Sequence, residues 1–453
     1  MSQPEPREHE LLEPLPLHAA PAALPPGRKE AEGFRAVLRT RDFRYLWAAQ
    51  AASQLADKFL VFTLLVVVYD LSRSASTQSL LMIAYTLPSV ALSAPAGVYA
   101  DRHDKRALMV ATNLLRGLLI LLIPGLQAVP LLHAQAWPLI LITFLFSAIG
   151  QVFAPAEAAS IPSLVRRDQI MTATSLFMTT VILTIVLGVP AATLSVRLFG
   201  THAPFYIAAF LFALATLSVW RVRRKLQAAI DPASYTPHVW RELREGVVIM
   251  TASQPLRFAL CELTIALIVV FTVFALGPVY LATVLHRSPE DTYILLIPAT
   301  FGLVGAAGVL GQQTRRFGRD RLLVTSIVGA GVALIATGVA PAILRSFGAY
   351  AATIPLLIAL SVTFGVALGG LLIPAFSVLQ EQTTEETRGR IFGGIFTVIN
   401  AAVAIPLLLA GTLADIFGVD RVITGLGLLL AALGVAARLW LWPRLSVLEP
   451  SDK

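Results

Sequence analysis

The chain has 453 residues, of which 56% are hydrophobic and only 14% are charged, and its formal net charge is +8 at pH 7. Soluble domains carry roughly 25% charged residues, so this composition excludes an ordinary water-soluble protein. The basic excess does not indicate nucleic-acid binding, because short loops rich in Lys and Arg are what orient a membrane protein.

Residues 1–33 combine prolines with charges of both signs and contain no continuous apolar core, which predicts a disordered cytoplasmic tail. Beyond them, runs of about twenty apolar residues recur, each long enough to cross a hydrocarbon core of roughly 30 Å as a helix. They predict an all-α membrane protein with twelve transmembrane helices in two pseudo-symmetric six-helix bundles, at 34–221 and 257–441. Predicted helices 1 to 12 span 43–70, 78–100, 107–128, 137–160, 170–198, 203–221, 257–285, 292–314, 321–343, 351–380, 390–417 and 420–441.

The longest polar interruption is the segment 222–256, in which apolar residues recur at helical spacing from Val239 to Val247. This pattern predicts a cytoplasmic linker with an amphipathic helix on the membrane surface, and a helix that binds a partner protein would look the same. Residues 442–453 are predicted to form a second cytoplasmic tail.

The 35 Lys and Arg residues divide unequally between the two sides of the predicted helices, with 28 on the side of the termini and five on the other. This bias predicts a multi-pass protein of the inner (plasma) membrane with both termini in the cytoplasm. The remaining two, Lys58 and Arg116, fall inside helices.

The loop after predicted helix 2 reads Gly97-Val-Tyr-Ala-Asp101-Arg102-His-Asp-Lys105-Arg106, and Gly311-Gln-Gln-Thr-Arg315-Arg316 follows helix 8 at an offset of 214 residues. Pro155 and Pro374 repeat at a similar offset, as a duplicated bundle requires. The first loop resembles the signature loop of the major facilitator superfamily, except that the family's glycine at the eighth position is Asp104 here. The resemblance implies a secondary transporter that works by alternating access.

A finer resemblance points to the macrolide-efflux and siderophore-exporter branch, and more loosely to the lysophospholipid transporters. The residues that carry it are Arg41-Asp42-Phe43-Arg44-Tyr45-Leu46-Trp47, Ala154-Pro155-Ala156 and Arg388-Gly389-Arg390-Ile391-Phe392-Gly393. Two departures are Glu157, where the branch has a basic residue, and Gly188-Val189-Pro190, a weakened form of the family's antiporter signature. The resemblance implies proton-coupled export of a lipophilic or amphiphilic molecule such as a drug or siderophore.

A gate is the first functional site that we predict. Gly97 allows helix 2 to approach a neighbour closely, and Asp101 can accept hydrogen bonds from the start of helix 11. The three basic residues of the loop either join this gate or only set topology. The predicted gating motif comprises Gly97, Asp101, Arg102, Lys105, Arg106, Arg388 and Arg390.

Charges inside the membrane are the second candidate site, because each costs a few kcal/mol. Asp57 and Arg116 lie near mid-depth, so they form a structural ion pair, act as a proton or substrate switch, or do not touch. Glu262 either faces the cavity as a proton carrier or faces water. The proton-coupling or ion-pair candidates are Asp57, Lys58, Arg116 and Glu262.

Polar residues at helical positions provide candidates for a cavity wall, although Asn and Gln also join helices together. Glu157 could simply reach water at the end of helix 4. The cavity candidates are Gln50, Gln54, Asn113, Gln151, Glu157, Gln380 and Asn400.

Several function classes are disfavoured. All seven histidines lie in the tail or loops, and the sequence has no phosphate-binding Gly-x-x-x-x-Gly-Lys motif, so we expect no enzyme activity, metal, cofactor or ATP-driven transport. The single Cys261 is predicted to fill buried space. The expected partners are protons, the bilayer and a small lipophilic or amphiphilic substrate, acting on a monomer. The alternatives are a lysophospholipid or lipid flippase and a non-transporting membrane sensor with the same fold.

Overall fold

The computed structural model describes residues 33–129, 135–224, 226, 254–317, 319–381 and 385–445. In these ranges a short helix, Gly33–Arg39, leads into twelve long helices and no strand. They are α1 (Arg41–Ser72), α2 (Ala75–Arg102), α3 (Lys105–Gln127), α4 (Trp137–Leu164), α5 (Ile170–Phe199), α6 (Ala203–Trp220), α7 (Gln254–Thr283), α8 (Tyr293–Phe317), α9 (Arg319–Ser346), α10 (Thr353–Glu381), α11 (Glu385–Phe417) and α12 (Val419–Leu445). The predicted amphipathic helix of the linker lies outside the described residues.

The all-α membrane fold is confirmed, whereas the predicted number of twelve membrane crossings is not fully confirmed. Ten helices in the described ranges are long and apolar enough to cross a membrane, and α2 is an eleventh if its two parts count as one span. The remaining helix is α8, whose last residues are the polar sequence Gln-Gln-Thr-Arg-Arg followed by Phe317.

Helix α2 is bent by 60° between Ser93 and Pro95. Proline has no amide hydrogen to continue the helical bonding, and its ring clashes with the carbonyl four residues earlier, so a sharp kink is expected there. The signature loop follows directly after the shorter arm of this bend, Pro95–Arg102.

The two halves repeat the same packing. In the first half α2 packs on α4, α3 on α6 and α1 on α6, and in the second half α8 packs on α10, α9 on α12 and α7 on α12. Contacts across the halves follow the same symmetry, because α2 packs on α11 and α5 packs on α8. This repetition is what a duplicated six-helix unit produces.

Two surfaces are needed to describe the site. We call the face that carries Gly33, the α2–α3 loop and the end of α6 the terminal face. The opposite face carries the α1–α2, α5–α6 and α11–α12 turns. Gly418, with φ of 96°, makes the last of these turns in a backbone region that favours glycine.

The outer surface is apolar, with exposed side chains such as Leu122, Phe210 and Leu429, while charged residues are buried inside. That distribution suits a lipid solvent. Cys261 on α7 is exposed, so its prediction as buried filler is wrong. The apolar surface of α7 looks identical to its buried side in composition, and the sequence alone could not distinguish them.

Candidate functional site

Asp57 on α1 and Arg116 on α3 form an ion pair inside the first half. Nη2 of Arg116 donates a hydrogen bond to Oδ1 of Asp57, and the two side chains are only 7% and 13% exposed, in that order. Of the alternatives open from the sequence, the structure therefore brings the two charges into contact. A buried pair of this kind is weak evidence for stability, because the desolvation of both charges offsets their attraction.

Two aromatic rings enclose the guanidinium of Arg116. Its central carbon lies 4.1 Å from the ring centre of Phe146 on α4 and 4.7 Å from that of Phe212 on α6. Cation–π contacts of this type stabilise a desolvated cation by up to about 2 kcal/mol. The rings therefore provide a favourable site for the Arg116 charge that does not depend on Asp57.

Gly150 on α4 makes room for the same guanidinium. A Cβ at this position would lie 3.3 Å from the central carbon of Arg116 and 3.4 Å from Nη2, closer than ordinary van der Waals contact. Sequence reasoning missed Gly150, because nothing in the local pattern of α4 reveals which glycine faces an arginine.

Lys58 follows Asp57 in the chain but packs in a different direction. A Cβ at Gly188 on α5 would lie 3.0 Å from Cβ and 3.1 Å from Cγ of Lys58, so the lysine stem runs along that glycine. Among the described residues, no carboxylate comes within 4.0 Å of the Lys58 ammonium.

Three predicted cavity residues are buried with polar atoms that lack hydrogen-bond partners in the described structure. Both amide atoms of Asn113 are unpaired, as are Oε1 of Gln50 and Oε1 of Glu157, and these residues are 0%, 3% and 7% exposed. The expectation that Glu157 could reach water at a helix end is therefore not met. Each unsatisfied buried group costs roughly 1–3 kcal/mol, which a purely structural core would avoid.

Of the other predicted polar residues, two make hydrogen bonds, one is half-buried and one is buried. Gln151 donates to the Ser147 carbonyl of its own helix at 3.2 Å, and Asn400 on α11 donates to Oγ of Ser89 on α2 at 2.8 Å. Gln54 is half-buried, and Glu262 on α7 is buried with 5% exposure. The side chain of Gln380 lies outside the described residues.

The predicted gate is only partly described. Asp101 and Arg102 are exposed, and Asp101 makes no hydrogen bond or ion pair to another described residue. A Cβ at Gly97 would meet no described atom within 4 Å, so no described residue makes the close approach expected there. Helix α11 begins at Glu385, earlier than predicted. Arg388 and Arg390 therefore lie within its first turns, and their side chains lie outside the described residues.

Of the basic residues in the signature loop, Arg106 links the start of α3 to the end of α6. Lys105 is buried at the start of α3, and Nη2 of Arg106 donates to the Trp220 carbonyl at the end of α6. Asp104 caps α3, accepting from the amides of Arg106 at 2.8 Å and Ala107 at 3.2 Å. A carboxylate at this helix start satisfies free amides and the helix dipole, which explains the departure from glycine.

Asp415, near the end of α11, joins the halves on the opposite face. Its carboxylate accepts hydrogen bonds from the Ala75 amide at 2.6 Å, the Ser76 amide at 2.9 Å and the Ser74 hydroxyl at 2.8 Å, all at the start of α2. A Cβ at Gly411 would lie 2.7 Å from the Ala75 carbonyl oxygen, so a glycine permits this approach. Sequence reasoning missed Asp415. The available signals were an acidic residue just before the α11–α12 turn and the Ser-rich sequence at the start of α2.

A second bridge on the opposite face obeys the pseudo-symmetry. Arg197 near the end of α5 lies 3.7 Å from Asp291, which is in the 3₁₀ turn Pro289–Thr292 before α8. Partial burial raises the pKa of the neighbouring Glu290, with the Asp70 and Asp291 charges acting in the same direction and Arg197 opposing them. Both bridges therefore join the end of one helix to the start of a helix in the other half, and the pair α11–α2 is related by the pseudo-symmetry to the pair α5–α8.

The family model described as the Major Facilitator Superfamily matches residues 46–350 and 309–452. The chain belongs to the major facilitator superfamily. Macrolide efflux protein A of Streptococcus pyogenes is 24% identical to this superfamily member over 389 residues, covering 84% of this chain and 91% of that protein. The multidrug efflux pump Tap of Mycolicibacterium fortuitum is 24% identical over 388 residues, covering 84% and 90%.

Solved structures agree on the major facilitator fold. A POT family transporter in complex with 5-aminolevulinic acid matches with a TM-score of 0.68 and 14% identity, covering 90% of this chain and 97% of that one. The resemblance to the efflux branch is confirmed by the curated relatives, and this member of the superfamily is a membrane transporter rather than an enzyme.

Proposed function

We propose that the chain is a secondary active exporter that exchanges protons for a lipophilic or amphiphilic small molecule by alternating access. The buried ion pair between Asp57 and Arg116 carries this proposal. A charge inside the membrane is expensive, so its presence in the bundle indicates a functional use. Within the described first half, Asp57 is the carboxylate that directly contacts a buried cation.

The pair supports a simple coupling cycle. While Asp57 is ionised, Arg116 holds it by a charge-assisted hydrogen bond, and the pair is locally neutral. Protonation of Asp57 removes that attraction, and the guanidinium keeps its contacts with Phe146 and Phe212. Substrate and proton then favour different states of one bundle, as exchange requires.

The described contacts between the two halves differ on the two faces of the protein, which supports alternating access. On the opposite face, the Asp415 and Arg197 bridges join the halves, whereas Asp101 on the terminal face is exposed and makes no contact with a described partner. The excess of Lys and Arg on the terminal face supports its assignment to the cytoplasm. This state would accept substrate from the cell interior.

The apolar interior of the protein and the relatives support the substrate class. Aromatic side chains such as Phe62, Phe146 and Phe274 pack in pairs inside the bundle, and ligand sites with apolar surroundings favour apolar surface on the ligand. The relatives include proteins named as macrolide and multidrug efflux pumps. We therefore place macrolide-like amphiphiles first among candidate substrates.

Asp57→Asn in proteoliposomes tests the proposal. With an imposed pH gradient, wild-type protein should move a radiolabelled macrolide uphill, and the variant should lose uphill transport at least tenfold while retaining downhill exchange, because the amide cannot cycle a proton. Asp70→Asn, which alters the surface pair with Arg73 on the same helix, is the matched control and should pump normally.

Two results would overturn the proposal. Normal uphill transport by Asp57→Asn would remove Asp57 as the coupling residue. Transbilayer movement of a fluorescent lysophospholipid by the wild-type protein, without macrolide transport, would favour the flippase alternative.

A further inference from the structure

A second polar site lies on the terminal face, away from the Asp57 pair. A cavity of about 490 Å³ is formed where α1 and α3 begin and α6 ends. Its lining residues are Arg41, Tyr45, Arg106, Trp220, Arg221 and Arg223. Four arginines and two aromatic residues therefore meet at one helix junction.

None of the four arginines forms an ion pair with a described carboxylate. Two neighbouring acids, Asp42 and Asp104, accept hydrogen bonds from backbone amides. Asp42 accepts from the Arg223 amide at 3.3 Å and the Arg224 amide at 3.1 Å, and Asp104 caps α3. Elsewhere on the terminal face, by contrast, Arg166 pairs with Asp168 at 2.7 Å. The cavity therefore brings together four arginine side chains, none of which is paired directly with a carboxylate of the described residues.

Two of these arginines are held in position by other groups. Arg106 donates to the Trp220 carbonyl, and the guanidinium carbon of Arg41 lies 5.7 Å from the ring centre of Tyr45. Such contacts reduce the conformational entropy that an anion would have to overcome on binding. Guanidinium groups present paired donors that match the oxygens of a phosphate.

The position of the cavity favours a phosphate attached to a lipid. Trp220 is 61% exposed on the outside of α6, and exposed Trp and Tyr side chains mark the headgroup level of a bilayer. Basic pockets between transmembrane helices at the cytoplasmic surface suit anionic lipid headgroups. A soluble phosphate would meet the same arginines but gain nothing from the aromatic surroundings.

We propose that this cavity binds the phosphate headgroup of an anionic phospholipid and thereby ties the terminal ends of α1, α3 and α6 together. The site is separate from the proposed coupling pair, because none of its residues contacts Asp57 or Arg116 in the structure. Its occupancy should therefore stabilise the protein even in a variant that cannot couple protons.

Binding can be measured on delipidated full-length protein in detergent, by native mass spectrometry and by the thermal unfolding midpoint. Phosphatidylglycerol should bind and raise the midpoint, whereas phosphatidylcholine and inorganic phosphate at equal concentrations should not. Removing each arginine should weaken binding roughly fivefold, so Arg221→Gln combined with Arg223→Gln should weaken it roughly 25-fold. Arg166→Gln, on the same face but paired with Asp168, is the control and should bind as the wild type does.

Each contrary outcome overturns the proposal in a different way. An equal response to inorganic phosphate would show a soluble-phosphate site instead of a lipid site. Equal binding by the double variant and wild type would place the lipid elsewhere. If the double variant fails to fold, comparing phosphatidylglycerol with phosphatidylcholine on wild-type protein still tests the proposal. Equal binding of the two lipids and equal shifts of the thermal midpoint would contradict a site that selects lipids by charge. Asp57→Asn should retain the lipid response, which separates this result from the transport proposal.

Discussion

The carboxylate of Asp415 lies 2.6 Å from the amide of Ala75, so the end of α11 closes directly on the first turn of α2. Arg197 and Asp291 form the corresponding bridge between α5 and the turn before α8. The two bridges use different chemistry at symmetry-related positions. Duplication thus preserved the place of contact between the halves, although the residues at each place diverged.

Asp415→Ala should favour opening of the opposite face. The change removes several charge-assisted hydrogen bonds, but the site is exposed, so we expect a shift of about 1–2 kcal/mol, or roughly tenfold in population. Spin labels at Thr201→Cys and Phe347→Cys, in a Cys261→Ser background, would report the separation of the halves by pulsed electron spin resonance. Asp70→Asn is the control, and an unchanged distance distribution in Asp415→Ala would contradict the assignment.

Asp101→Asn should have the reverse effect on the population. Because Asp101 makes no described contact in this conformation, losing its charge weakens only the state that is closed on the terminal face, by about 1 kcal/mol or roughly fivefold. Spin labels at Gln169→Cys and Thr325→Cys would show a larger share of the long distance. A larger share of the short distance would refute the predicted gate.

Gly150→Ala should displace the Arg116 guanidinium. A methyl group 3.3 Å from its central carbon forces a shift that costs about 1–3 kcal/mol. We expect a lower thermal midpoint and a loss of uphill transport, with Gly125→Ala as the control, because a Cβ there meets nothing within 4 Å among the described atoms. Full activity in Gly150→Ala would mean that the pair tolerates movement and needs no fixed geometry.

Asn113→Leu should separate stability from function. Both amide atoms of Asn113 lack partners in the described structure, so the apolar replacement should raise the thermal midpoint while reducing uphill transport at least tenfold. Asn400→Leu provides the contrast, because it breaks the bond to Ser89 and should lower the midpoint. If Asn113→Leu lowered the midpoint and left transport intact, the residue would be a packing element only.

Most helix positions could be predicted because each apolar run must match the bilayer thickness. The prediction of 203–221 compares with Ala203–Trp220, and 43–70 with Arg41–Ser72. The starts of α7 and α11 were placed too late, since helices continue through polar residues beyond the hydrocarbon core and hydropathy does not register that extension. The prolines of α4 and α10 fall at equivalent places, as the repeat predicted.

The candidate site could be predicted from the sequence only for those residues that their charge and their depth in the membrane are enough to identify. Asp57 and Arg116 are charged and lie at similar depth, so contact between them is one of the alternatives that the sequence leaves open. The roles of Gly150 and Asp415 depend on which helices face each other. Helix pairing follows from the packing of segments that are far apart in the sequence, so no local pattern reveals it. The partner of Arg106 is a backbone carbonyl, which no side-chain pattern reveals.

The aromatic enclosure of Arg116 has an electrical consequence. In the proposed cycle, the ionised pair with Asp57 carries no net charge, but a proton on Asp57 leaves one positive charge held between Phe146 and Phe212. Reorientation of the proton-loaded bundle would then carry that charge through part of the membrane field, where a full crossing is worth about 2.3 kcal/mol per 100 mV. Transmembrane voltage, with the cell interior negative, should therefore accelerate export of a neutral substrate even when the pH on the two sides is equal.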